Sequence, residues 1–146
     1  MIYVIGSLKT QRAREVARRL RDARFEVFDD WQATAPDTDK HWTAYEKARG
    51  RNLRDALQGK AGRNQFAFDE KHLNACKAAV LVMPCGKSAH LELGYIRGLG
   101  KPGFVLFDKD PDEFDLMYGL ASEICYSEDE VIEELRRRGF AHKEGQ

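Results

Sequence analysis

Glu92 is the residue whose position most invites a chemical reading. At 3.6 residues per turn it falls with Ser88, Ala89, Ile96 and Leu99 on the face of a helix that should pack inward. A carboxylate there, one turn into a helix that opens at a strand's carboxyl end, stands where open α/β sheets bind ligands. With a second carboxylate nearby, a buried glutamate has the retaining-glycosidase arrangement. One carboxylate attacks the anomeric carbon, and the other acid protonates the leaving group or activates water. An edge glutamate paired with Arg97 would occupy the same position without any chemistry, and the spacing alone leaves both open.

The loop ahead of this helix offers two further chemistries. Gly86-Lys87-Ser88 resembles the end of a phosphate-binding loop, but Leu81 stands where the first glycine of that motif is required, so the loop cannot wrap a β-phosphate. Lys87 and Ser88 could still hold one phosphate or sugar hydroxyl. Cys85, five residues before His90, could act as a nucleophile at a helix start that lowers thiol pKa. No Asn or Asp is placed to orient His90, and a buried inert cysteine explains the position better. A second anion cup is expected at Gly6-Ser7, where backbone N–H groups open a helix and Lys9 and Arg12 add charge. His41, His72 and His142 have no metal-ligand spacing, and no metal site is expected.

These residues must be positioned by alternating strands and helices. IYVI (2–5), AVLVM (79–83) and GFVLF (103–107) are short apolar runs, the pattern of parallel strands buried on both faces, and FEVF (25–28) and EICY (123–126) read as two further strands. Between the first two, Ala13, Val16, Ala17, Leu20 and Ala23 repeat at helical spacing over residues 10–23. Residues 66–78 should form a helix with Phe66, Leu73 and Cys76 inward and Asp69 near its start. The helix of Glu92 should be capped by Ser88 and carry Ala89, Tyr95, Ile96 and Leu99 toward the core. Gly94 and Gly98 would allow its close approach to the sheet, and Gly100-Lys101-Pro102 would end it. A polar loop, DKDPDEFD, precedes a short helix around residues 116–118, and Ser127 with Glu130 forms a capping box for the last helix, 128–138. AHKEGQ reads as a frayed tail.

The alternation predicts an α/β three-layer sandwich of about five parallel strands, flavodoxin-like or Rossmann-like, in the order 2-1-3-4-5. Its switch point lies between strands one and three, where Gly6-Ser7, Asp29-Asp30 and the Gly86–Ser88 loop should meet above Glu92. Residues 32–64 fit the alternation least and read as an insertion, one or two helices interrupted near Gly50, that would lid the site within a single domain spanning 1–146. The insertion is rich in Lys and Arg and contains Trp42 and Tyr45, a composition seen in RNA-binding surfaces. A solvated helical face with both aromatics docked inward is the expected alternative, because Lys plus Arg and Asp plus Glu number 24 each over the 146 residues.

That balance leaves no global field to recruit nucleic acid or membrane. No apolar run approaches the ~20 residues of a membrane helix, and MIYVIGS reads as a strand and not as a signal peptide. Three cysteines without a C-x-x-C pair point to a reducing cytosol and no structural zinc.

Four segments, in this order, resemble the nucleoside 2-deoxyribosyltransferase superfamily, including its branch of nucleoside 5′-monophosphate N-glycosidases. They are Y-V-I-G-S-L (3–8), D-E-K-H-L (69–73), S-A-H-L-E-L-G-Y (88–95) followed by G-K-P, and D-L-M-Y (115–118). The resemblance spans most of the chain outside 32–64. It implies cleavage of a (deoxy)nucleoside or its 5′-monophosphate through a glycosyl-Glu92 intermediate, resolved by water or a second base, with neither metal nor organic cofactor. Asp69 would orient the sugar or handle the proton. Tyr3, Gly6 and Ser7 would border the sugar, Ser88 would contact sugar or phosphate, and Met117 would reach into a neighbour's site in a homodimer or larger assembly. Transferases of the family often carry an aspartate six residues before the glutamate, and monophosphate hydrolases a serine; here Gly86 stands there, and Ser88 lies four before. Asp30, Trp31 and Trp42 are the candidate base contacts. A non-catalytic nucleotide sensor using the same cleft is the competing reading.

Overall fold

The computed structural model describes residues 1–33 and 37–140. Five strands, β1 (Ile2–Ile5), β2 (Val27–Phe28), β3 (Ala78–Val82), β4 (Gly103–Leu106) and β5 (Glu123–Cys125), pair in parallel in the order β2-β1-β3-β4-β5. Among the described residues six α-helices accompany them: α1 (Arg12–Asp22), α2 (Thr38–Ala48), α3 (Leu53–Gln58), α4 (Lys60–Ala75), α5 (Lys87–Gly98) and α6 (Glu128–Arg137). The expected sheet and its strand order are both present.

The two-residue period of the strands divides the core cleanly. Ile2, Val4, Val80, Val82, Phe104 and Leu106 face α1 and α6, meeting Val16, Leu20, Val131 and Leu135. Tyr3, Ile5, Ala79, Leu81, Val105 and Phe107 face α4 and α5, meeting Leu73, Ala89, Leu93 and Ile96. Burying each such Leu or Ile side chain contributes about 1.5–3 kcal/mol. Tyr3 therefore points to the same side of the sheet as Glu92 and Asp69. No helix among the described residues is long and apolar enough to cross a membrane.

Several local expectations need correction. The second strand shortens to Val27–Phe28 because Arg24 takes a positive φ of 71° and Phe25 N–H turns back to Leu20, so the ladder starts only where Ile2 N–H donates to Glu26. α4 begins six residues before the expected start, which places Asp69 in its middle and leaves Phe66 61% exposed. Gly62 does not break this helix: a Cβ there would stand 2.8 Å from the Ala56 carbonyl and 3.1 Å from the Trp42 ring. The glycine serves a close packing contact.

On α5, Leu93 takes the core position, while Tyr95 and Leu99 are 39% and 45% exposed. Gly94 and Gly98 face open space; the tight contact is with the sheet's own Gly103, whose Cβ would come 2.7 Å from Leu93 Cδ1. Tyr45 is exposed beneath the Arg49 guanidinium, so the two aromatics of the insertion are not both docked inward. The buried polar residue there is Glu46, paired with Arg51 at 2.9 Å. Ser127 Oγ caps α6 by accepting from Glu130 N–H at 3.2 Å, whereas Glu130 returns its carboxylate to Tyr126 N–H. The expected frayed tail at 141–146 lies outside the described residues.

Candidate functional site

The loops after β1 and β3 diverge at the switch point of the sheet, because β1 leads through α1 to one side and β3 through α5 to the other. The cleft between them has a volume of about 490 Å³. Gly6, Ser7 and Lys9 line it from the first loop, Gly86, Lys87 and Ser88 from the second, and Trp31 from the short 3-10 turn after β2. Asp69 on α4 and Glu92 on α5 complete the set of expected residues that meet there.

Each wall has a local cause. A Cβ on Gly6 would lie 2.8 Å from Ala13 Cβ, so glycine is what lets the β1 loop pass under the start of α1. Ser7 Oγ accepts the Lys9 N–H at 3.1 Å and holds the turn. The cap of α5 is Gly86, not Ser88. No side chain caps this terminus, so the N–H groups of Lys87, Ser88 and Ala89 have no helical acceptors. Trp31 compensates for the short second strand. Ile2 directs its polar groups toward β2, so Val4 does the same, and the Trp31 indole N–H donates to the Val4 carbonyl at 2.6 Å.

The carboxylates are electrostatically coupled. Burial, and then the nearby charge of Asp69, push the Glu92 carboxyl up to about 7 from its ordinary 4.5. Asp69 is also raised, chiefly by burial. An amide hydrogen bond from Gln65 (3.3 Å) and the charge of His72 oppose the rise, and Asp39 adds to it. Tyr3 is buried below them, 5.1 Å from the Phe28 ring, and its phenol is pushed well above the usual range by burial and then by Glu92 and Asp69. Arg97 does not pair with Glu92: its guanidinium donates to the Leu120 and Lys101 carbonyls. Glu92 thus titrates around neutral pH, a range in which it can act as acid or as nucleophile.

Other expected residues fall outside the cleft. Arg12 is committed to Asp108 at 2.8 Å and to Glu128, so it lends no charge to the Gly6-Ser7 turn. Asp30 is exposed beside the Arg21–Asp29 pair. Trp42 packs over Gly62 within the insertion, its indole N–H buried and without a partner among the described residues. Met117, 63% exposed in the 3-10 turn Leu116–Leu120, does not reach this chain's own cleft.

Cys85 is half-buried with its thiol pushed up to about 11 by burial and by Glu92. His90 lies 3.8 Å from it but is engaged elsewhere: Nδ1 donates to the Gly86 carbonyl at 2.7 Å, leaving Nε2 to accept from the Tyr118 hydroxyl at 3.0 Å. That environment keeps the thiol protonated and argues against a cysteine nucleophile.

Leu8, Thr38, Asp39 and Gln65 also line the cleft and were not expected there. Gln65 had a legible signal: it precedes Asp69 by four residues, one turn on a shared helical face. Thr38 and Asp39 had none, since α2 reaches the cleft only through the packing of the insertion. Among the described residues, no group of three His, Cys, Asp or Glu side chains is spaced to hold a metal ion. No protein-family model matches this chain, and no curated protein matches it.

Proposed function

We propose that the cleft cleaves the N-glycosidic bond of a (deoxy)nucleoside or its 5′-monophosphate, in the manner of the nucleoside 2-deoxyribosyltransferase superfamily that the motifs resemble. The observation that carries the reading is the half-buried Glu92, its carboxyl raised to about 7 by burial and by Asp69, lining a cleft at the switch point. In its ionised form Glu92 attacks the anomeric carbon as the carbon–nitrogen bond breaks and the base leaves with the bonding electrons. Asp69, whose own carboxyl is raised, passes a proton to the leaving base or holds the sugar hydroxyls. Water or a second base then attacks the glycosyl ester and releases Glu92. Burial favours this attack, because a poorly hydrated carboxylate loses little solvation when it bonds.

Gly6 and Ser7 border the sugar. Lys9, Lys87, Ser88 and the uncapped start of α5 suit a 5′-phosphate, where backbone N–H groups and the helix dipole add to two cations. The exposed Phe114, Leu116, Met117 and Leu120 form an apolar segment that suits a second copy of the chain, with Met117 closing its neighbour's site. Free thiols at Cys76, Cys85 and Cys125 fit a reducing cytoplasm.

The test is release of free base from a panel of nucleosides and 5′-monophosphates, with and without a second base. A 2-fluoro-sugar nucleoside should add covalently to Glu92 and appear in the intact mass. A protein that binds these compounds but neither releases base nor forms the adduct would be a sensor and not a glycosidase.

A further inference from the structure

The elements that line the cleft differ in character. The loops bring Lys9, Lys87 and the uncapped start of α5. The helices α2 and α4 bring Asp39, Gln65 and Asp69. Gln65 gives an amide N–H to Asp69, which leaves its carbonyl oxygen as an acceptor. Asp39 is near enough to Asp69 to raise it, and an ionised carboxylate only accepts hydrogen bonds. Trp31 lines the same cleft with its ring near Gly6, fixed by its bond to Val4, a flat apolar surface with its polar edge already satisfied. A cleft that combines acceptors with an immobilised indole fits a planar ring whose edge donates.

We propose that Asp39 and Gln65 read the nucleobase and select bases carrying an exocyclic amino group beside a ring N–H, guanine first. The inference rests on the N-glycosidase reading, which puts the phosphate at the lysines and so leaves the base to the acceptors of α2 and α4. Guanine offers N1–H and an N2 amino hydrogen side by side, the match for the two oxygens of one carboxylate. Hypoxanthine keeps the ring N–H and lacks the amino group. Uracil and thymine set a single N–H between two carbonyls, whose oxygens would face these acceptors. Asp39 belongs to the insertion, whereas Gln65 shares α4 with Asp69, so only the carboxylate that reads the base is separated in the chain from the residues that would break the bond.

Calorimetric binding of guanosine, inosine and uridine 5′-monophosphates to the Glu92→Gln protein tests this without turnover. Guanosine monophosphate should bind about tenfold more tightly than inosine monophosphate, and uridine monophosphate should bind more weakly still. Adding Asp39→Asn, an isosteric change at an exposed helix position, should shrink the first ratio to threefold or less, and Asp39→Lys should favour the carbonyl-bearing bases. The same ratios should appear in kcat/KM for base release by wild-type and Asp39→Asn proteins. Equal binding of the two purines, or a ratio unchanged in Asp39→Asn, overturns the proposal. Base release without base preference would refute this inference alone. A guanine preference in binding with no base release from any substrate would refute the glycosidase reading alone.

Discussion

Replacing Glu92 with Gln should remove activity and raise stability together, and the pH dependence of the gain identifies its cause. The folded-state carboxyl titrates at about 7 against an ordinary 4.5. Its pKa is raised by folding, so the folded protein holds a proton that the unfolded chain releases between these values. Stability therefore falls as pH rises through that window and stays lower above it. The shift corresponds to a penalty of about 3 kcal/mol by pH 8. Gln keeps the shape of the protonated acid and cannot ionise, so the penalty disappears. At roughly 2–4 °C per kcal/mol for a domain of this size, the variant should melt roughly 6–12 °C above wild type at pH 8 and close to it at pH 4.5. Differential scanning fluorimetry across that range measures the gap. A gap independent of pH, or a variant less stable at pH 8, would refute an origin in buried ionisation. The same ionisation should shape catalysis: base release by wild type should fall about tenfold per pH unit below pH 7, since attack needs the carboxylate.

Further outcomes follow from the packing. Gly103→Ala should destabilise the fold by about 1–3 kcal/mol in urea denaturation, because its Cβ strikes Leu93 at 2.7 Å, whereas Gly94→Ala, facing open space in α5, should stabilise it by about 0.5–1 kcal/mol. Cys85, held as a thiol, should react slowly with iodoacetamide at pH 7.5, and Cys85→Ala should retain base release; rapid alkylation with loss of activity would return the cysteine to the mechanism. Light scattering at micromolar concentration should show a dimer or larger species, and Met117→Ala should raise KM; a monomer with unchanged kinetics would remove the neighbour's contribution.

The three central strands were legible because each is an unbroken apolar run, and a run buried on both faces needs no partner to be recognised. The first strand matches its expected bounds, Ile2–Ile5, and alternation along it already implied that Tyr3 and Val4 serve opposite layers. Glu92 stood out for a similarly local reason: a helical period places it among apolar neighbours whatever the rest of the chain does. Strand order then followed from the crossover rule, which depends on handedness and not on side chains.

What escaped the sequence were relations between distant residues. Arg12 reads as a cation beside the Gly6-Ser7 turn, yet its guanidinium finds Asp108 and Glu128, so pairing removes its charge from the cleft. The close approach of α5 depends on Gly103 of the neighbouring strand and not on the helix's own glycines. Asp39 carries no recognisable pattern and joins the cleft only through the tertiary placement of α2. The elevated Glu92 carboxyl is decided in the same way, since its partial burial and the field of Asp69 exist only once α4 and α5 have come together. Periodicity is a property of neighbours along the chain, so the sequence alone determined the sheet and the candidate nucleophile; charge, desolvation and pocket shape depend on neighbours in space, and only the tertiary structure decided them.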